Sequence, residues 1–159
     1  MLSPKKHLGQ NFLQDDNIIR KIVASLDLHP DDAVVEIGPG PGALTRILAE
    51  ACRLTAIEVD HRAVEQLRER FGERVDVREA DVLTVDAQAL AAERGGPIRV
   101  VGNIPYYITS EILFWVLDQR DAVRDATLMM QEEVADRLVA VPRTKAYGIL
   151  SVFVQHYAV

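Results

Sequence analysis

Asn103-Ile104-Pro105-Tyr106 follows directly on the apolar run Ile98-Arg99-Val100-Val101-Gly102, and its groups suit one piece of chemistry. The exocyclic amine of adenine is a poor nucleophile, because its lone pair is delocalised into the ring. An Asn side-chain oxygen and a backbone carbonyl held rigid by proline can accept both N–H hydrogens. That pulls the nitrogen toward tetrahedral geometry and frees the lone pair. A neighbouring Tyr offers a flat face on which a flipped base can stack. N-x-P is also a common way to end a strand in a turn. Taken alone, the tetrapeptide leaves both readings open.

Three upstream positions narrow the choice. Glu36-Ile37-Gly38-Pro39-Gly40 ends an apolar strand. Glycines there let a ligand approach the backbone, and the helix that follows offers free N–H groups. Gly38, Gly40 and Ala43 satisfy G-x-G-x-x-[GA], a weak signal by itself that also fits a tight strand–helix turn. Glu58 closes the next strand, and a carboxylate at that place can hold both hydroxyls of a ribose. Proteins that bind NAD and proteins that bind S-adenosylmethionine share this device. Asp81 follows the third strand and could accept a bond from an adenine amine, although an Asp there is often only a turn or helix cap. Three cofactor positions followed by an amine-activating tetrapeptide form a specific series. A dehydrogenase has no need of its last member.

These residues need a scaffold that brings strand ends together. Strand and helix patterns alternate along the chain, as in a parallel α/β sheet. Strands are expected at 33–37, 54–57, 75–79, 98–101 and 127–130. Helices are expected from a start near Asp16-Asn17, then at 43–52, 61–71, 87–94, 110–117 and 132–139. The segment from Tyr147 to Tyr157 is rich in β-branched residues. Its apolar residues Ile149, Leu150, Phe153, Val154 and Tyr157 nevertheless fall at helical spacing, which predicts a helix. In an open parallel sheet, ligands sit beyond the carboxyl ends of the strands, where strand order reverses.

Composition sets the outer bounds. The 159 residues suffice for one domain with a proper core, and apolar and charged contents of 48% and 26% are ordinary for a soluble protein. The single cysteine, Cys52, excludes an internal disulfide framework and a Cys-based zinc site, and no metal is expected. The start of the chain has charge but no apolar stretch of a signal peptide, and no run approaches a membrane span. A cytoplasmic protein is the expectation. The net charge of −6 argues weakly against nucleic acid as a partner. Lys5, Lys6, Arg20 and Lys21 near one end, with Arg137, Arg143 and Lys145 near the other, could still make a local RNA-facing surface.

Two further segments bring a family into view. They are His7-Leu8-Gly9-Gln10-Asn11-Phe12-Leu13 and Lys145-Ala146-Tyr147-Gly148-Ile149-Leu150-Ser151-Val152. With Val35–Gly40, Asn103–Tyr106 and Gln131–Ala140, the chain resembles the ribosomal RNA adenine N6,N6-dimethyltransferase family of the KsgA type, over essentially its whole length. The related erythromycin-resistance methyltransferases of 23S rRNA share the Gln-Asn-Phe-Leu and Asn-Ile-Pro-Tyr elements. The Lys-Ala-Tyr-Gly-x-Leu-Ser-Val segment looks more like the KsgA type. The resemblance implies a Rossmann-like methyltransferase sheet of strand order 3-2-1-4-5, S-adenosyl-L-methionine as cofactor, and small-subunit rRNA in the assembling ribosome as partner. Two methyls would go to N6 of each of two adjacent adenosines near the 3′ end. By position, Asn11 and Leu13 would line the methionine end of the cofactor with Gly38. Glu58 would hold the ribose and Asp81 the adenine amine. Asn103 would lie between cofactor and target nitrogen, beside Pro105, and Tyr106 would stack on the base. Position 107 is Tyr where many relatives have Asn.

The resemblance also implies a departure. Family members continue for roughly another hundred residues, with two last strands, a Phe- and Pro-rich loop and a small helical domain that grips RNA. The expectation is therefore a methyltransferase domain over 1–159 that lacks these parts. It would bind cofactor weakly, self-associate through the exposed edge of the fifth strand, and methylate RNA poorly. The competing readings are a non-catalytic binding module in ribosome assembly and a NAD-dependent oxidoreductase. The second of these rests only on the glycine turn and Glu58.

Overall fold

A computed structural model of the chain describes residues 15–158. Five parallel strands form one sheet: β1 (Ala33–Ile37), β2 (Arg53–Glu58), β3 (Val75–Glu79), β4 (Ile98–Asn103) and β5 (Val123–Met129). Their order is β3-β2-β1-β4-β5, so the strand order reverses between β1 and β4. The register aligns Ile37 with Ile57 and with Gly102, Glu58 with Glu79, and Asn103 with Met129. Every carboxyl end therefore opens on the same edge.

Seven helices flank the sheet among the described residues: α1 (Asp16–Ser25), α2 (Thr45–Ala51), α3 (His61–Phe71), α4 (Ala87–Arg94), α5 (Thr109–Asp118), α6 (Glu132–Leu138) and α7 (Ile149–Tyr157). Because side chains alternate along a strand, β1 feeds two cores at once. Val34 packs with Leu48, Leu54, Val64 and Leu67 under α1, α2 and α3. Val35 and Ile37 pack with Leu90, Val100, Ile112 and Trp115 under α4 and α5. Asp15, Asp60 and Asp86 cap α1, α3 and α4 through their side chains, and the Trp115 indole donates to the Val85 carbonyl at 2.9 Å.

At the amino edge, Arg99 ties several elements together. It donates to Asp32 at 2.8 Å, to Asp125 at 3.0 Å and to the Leu26 carbonyl at 2.6 Å. β4, β5 and the segment after α1 are thus fixed at the end of the sheet opposite the strand termini that carry Glu58 and Asn103.

The expected elements are present, with shifted boundaries. β5 begins at Val123, four residues before the expected start, because Arg124 and Asp125 break the apolar pattern while Asp125 serves Arg99. α2 starts at Thr45 because residues 40–44 form turns. α7 starts at Ile149, after an extended Gly148 whose N–H donates to Ser151 Oγ at 3.1 Å. β4 runs on to Asn103, so the strand itself carries that side chain to the edge.

Candidate active site

The glycine turn after β1 has two separate tasks. Gly38 has φ +62°, which a side chain rarely tolerates, and a Cβ there would meet no atom within 4 Å. The backbone thus borders open space where a ligand can lie against it. On the neighbouring strand, a Cβ at Gly102 would stand 2.7 Å from the Ile37 carbonyl oxygen. Only glycine fits there, and β4 can then run close beside β1 up to the switch point.

Glu58 is buried, and its carboxylate is built into the backbone. It accepts from Gly40 N–H at 3.0 Å, Val59 N–H at 2.8 Å and Asp60 N–H at 2.9 Å. The Gly40 amide is therefore spent on Glu58. Three of roughly four acceptor positions on the carboxylate are taken. Its orientation is fixed before any ligand arrives. Asp81 is exposed and accepts from Leu83 N–H at 3.0 Å, so it caps a short turn as well as lining the cleft.

The carboxyl ends enclose a cleft of about 420 Å³ that brings Gly38, Glu58, Asp81, Asn103, Pro105 and Tyr106 together. Asn11 and Leu13 lie outside the described residues. Asn103 is half-buried, and the turn beyond it is held by Thr109, whose Oγ1 donates to the Pro105 carbonyl at 3.0 Å. The Ile108 N–H donates to the same carbonyl at 3.3 Å. Tyr106 leaves 53% of its surface exposed at the mouth.

In the sequence Glu36 is only part of the strand end, yet it lines the cleft at 1% exposure. Burial pushes its carboxyl up to about 7. A Thr45 hydroxyl at 2.7 Å opposes that shift and the charge on Glu58 adds to it. A carboxyl inside an otherwise apolar strand, Ala-Val-Val-Glu-Ile, is the signal that would have found it. Val59 and Leu83, each beside a cleft carboxylate and each exposed, supply apolar surface at the mouth. Tyr107 joins them.

The lining has a clear electrostatic sense. Glu36, Glu58 and Asp81 face one cleft, and among the described residues no Lys or Arg lines it. Such a site suits a cationic ligand with a nucleoside end. A pyrophosphate would meet carboxylates and a turn amide already bonded to Glu58.

A family model described as ribosomal RNA adenine dimethylase matches residues 1–158. The chain is 59% identical over 156 residues to ribosomal RNA small subunit methyltransferase A of Salinibacter ruber, covering 98% of this chain and 52% of that protein. The protein of the same name in Prosthecochloris aestuarii is 52% identical, with 98% and 59% covered. The chain thus spans about half the length of the curated relatives it matches. Among solved structures, a dimethyladenosine transferase from Plasmodium falciparum superposes with a TM-score of 0.76 at 27% identity, covering 91% of this chain and 51% of that one. The 23S rRNA methyltransferase ErmE gives 0.68 at 38%, covering 87% and 53%. From these matches, taken with the sheet order and the cleft, the chain belongs to the ribosomal RNA adenine dimethylase family.

Proposed function

We propose that this chain binds S-adenosyl-L-methionine and forms the catalytic half of an enzyme that dimethylates N6 of two adjacent adenosines near the 3′ end of small-subunit rRNA. One observation carries the reading: a cleft lined by three carboxyls, and by no Lys or Arg among the described residues, opens onto an Asn-Ile-Pro-Tyr turn. The residues fit the cofactor. It bears a sulfonium and an ammonium, and its nucleoside end offers two ribose hydroxyls and an adenine amine. Glu58, with about one acceptor position left beside its three backbone N–H partners, would take a ribose hydroxyl, and Asp81 the amine. Val59 and Leu83 would flank the adenine ring, and Gly38 would border the methionine end, with Asn11 and Leu13 assigned there by family position.

The cofactor, when bound, supplies an electrophilic methyl group on sulfur. The protein's own part is to prepare the nucleophile. Asn103 would accept one hydrogen of the adenine amine. The Pro105 carbonyl is already engaged by Thr109 and Ile108. The Ile104 carbonyl, on the peptide bond that Pro105 stiffens, is therefore the acceptor we assign to the second hydrogen. Tyr106 would stack on the base. No strong general base is required, because the amine becomes acidic only after methyl transfer and its proton can leave to water.

The identity to small subunit methyltransferases favours that target over 23S rRNA, to which the likeness to ErmE alone would point. An enzyme with this substrate works in the cytoplasm; no helix among the described residues is long and apolar enough to cross a membrane. The test has two arms. Calorimetric titration should show binding of S-adenosylmethionine and none of NAD. An assay for N6,N6-dimethyladenosine on an assembling small subunit should find product with a family-length protein carrying this domain. A cleft that takes NAD in preference, or a family-length protein that binds cofactor and leaves the RNA unmethylated, would overturn the reading.

A further inference from the structure

Tyr106 and Tyr107 occupy consecutive positions in a short 3₁₀ turn, Tyr106–Ile108. Such a turn has three residues per revolution, so neighbouring side chains diverge by about 120°. The two rings cannot both lie flat on one planar ligand. Instead they meet edge to face, with centroids 6.0 Å apart and planes at 83°. The turn beneath them is firm, since Thr109 is 2% exposed and its hydroxyl holds the Pro105 carbonyl. The rings themselves are half open to solvent, at 53% and 43% exposure.

Tyr107 lines the same cleft as Asp81, Leu83 and Glu58. Partial burial, followed by the charges of Asp81 and Glu58, pushes its phenol above the ordinary tyrosine range. Its hydroxyl end thus lies within the field of the two carboxylates assigned above to the cofactor's nucleoside. Tyr106 stands at the mouth, where the target base would arrive. Tyr107 thus meets the Tyr106 ring and also lines the cleft with Asp81 and Glu58.

We propose that Tyr107 is a positioning residue that couples the two halves of the site: a nucleoside bound against Asp81 and Glu58 restricts the Tyr107 ring, and Tyr107 in turn holds Tyr106 ready for the target base. This rests on the cofactor reading given above. A ligand shifts a conformation only by as much as it binds one arrangement better than another. Here the difference is the space beside Tyr107 that the nucleoside fills. The effect is reciprocal, so the target base also tightens cofactor binding by the same factor. The strength of an edge-to-face aromatic pair sets the size of the coupling at about two- to tenfold.

The experiment measures RNA affinity with and without saturating S-adenosylhomocysteine, which occupies the cofactor site without transferring a methyl. The probe is a short RNA with two adjacent adenine positions, one of them 2-aminopurine, whose fluorescence reports stacking. Wild type and Tyr107→Phe, which keeps the ring, should bind the RNA about two- to tenfold more tightly with the cofactor product present. Tyr107→Leu should lose that ratio, whatever its affinity for each ligand alone. Tyr107→His, retaining a flat ring, should restore part of it and controls for folding. A purely structural role for Tyr107 would weaken both ligands and leave the ratio intact. Coupling that persists in Tyr107→Leu overturns the proposal. So does a wild-type protein whose RNA binding, with cofactor product bound, is absent or no tighter than without it. Failure of wild type to bind S-adenosylhomocysteine at all is a different result: it overturns the cofactor reading itself, and the coupling falls with it.

Discussion

Glu58 joins the frame and the ligand in one side chain. Its carboxylate receives three backbone N–H groups, so removing it leaves buried donors unsatisfied as well as the ribose unbound. Glu58→Ala should weaken S-adenosylmethionine binding by about ten- to a hundredfold and also lower the melting temperature, since charge-assisted bonds contribute about 1.5–3 kcal/mol. Calorimetry showing unchanged affinity would refute the assignment. Asn103 should behave differently. Its bond to the target amine strengthens as the nitrogen becomes tetrahedral, which is an effect on the transition state. In a family-length protein, Asn103→Ala should lower the methylation rate by roughly 10²-fold and leave cofactor affinity nearly unchanged, by analogy with the loss of one oxyanion-hole donor. Equal losses in rate and affinity would place Asn103 in ground-state binding instead.

Glu36 gives a pH signature with two opposing parts. Its carboxyl titrates at about 7 in the folded protein, against an ordinary value of 4.5, because it is buried beside Glu58. Between those values the folded state holds a proton that the unfolded state has lost. Stability should therefore fall as pH rises from about 4.5 to about 7 and level off above, by up to ~3 kcal/mol. A cationic ligand instead favours the ionised carboxyl, so cofactor affinity should rise over the same interval. Glu36→Gln should flatten both trends and be the more stable form at pH 8. Thermal unfolding and calorimetry at pH 5.5 and pH 8 read both, and parallel trends in stability and affinity would rule out this role for Glu36.

The elements were largely legible because most follow from local pattern. The buried strand β1, the capped helix α3 and the glycine turn all announce themselves in a few residues. What was not legible depends on distant partners. β5 hides its first half because Asp125 is spent on Arg99, 26 positions away. That Glu58, 18 positions on, takes the Gly40 amide shows only in the fold. Val59 and Leu83 look like ordinary loop residues until the fold sets them at one mouth. The Arg99 cluster braces elements without entering the site. The Arg99 side chain is 11% exposed and that of Asp32 12%; Arg99→Met would leave Asp32 with only the His29 N–H and Arg124, and Asp125 without its cation, and should destabilise the fold by about 1–2 kcal/mol. Cofactor affinity at temperatures below the transition should not change. A matched loss of affinity would mean that the two edges of the sheet communicate.

β5 lies at one edge of the sheet, and among the described residues nothing pairs with its outer side. Such an edge presents a row of unused N–H and C=O groups and is a template for another chain. The apolar surface nearby is incompletely covered. α7 buries only Leu150 and Ser151 fully, and its Phe153 packs edge-on against Phe114 at 5.7 Å. Ile149, Val152 and Tyr157 stay exposed, as do Val139 and Val141 before it. The matches to the curated relatives cover 52% and 59% of those proteins' own length. We expect a polypeptide of residues 1–159, taken alone, to self-associate through β5, to bind S-adenosylmethionine more weakly than a family-length protein, and to methylate RNA poorly. Arg124 and Ala126 lie exposed on β5, so Ala126→Pro tests the edge directly. Proline removes an N–H and cannot extend a ladder, while tolerated on an edge strand. Sedimentation should find association in the wild type that falls in Ala126→Pro and persists when salt is raised. A wild-type monomer at high concentration that fully methylates a small-subunit substrate would show instead that neither the edge nor the added length matters.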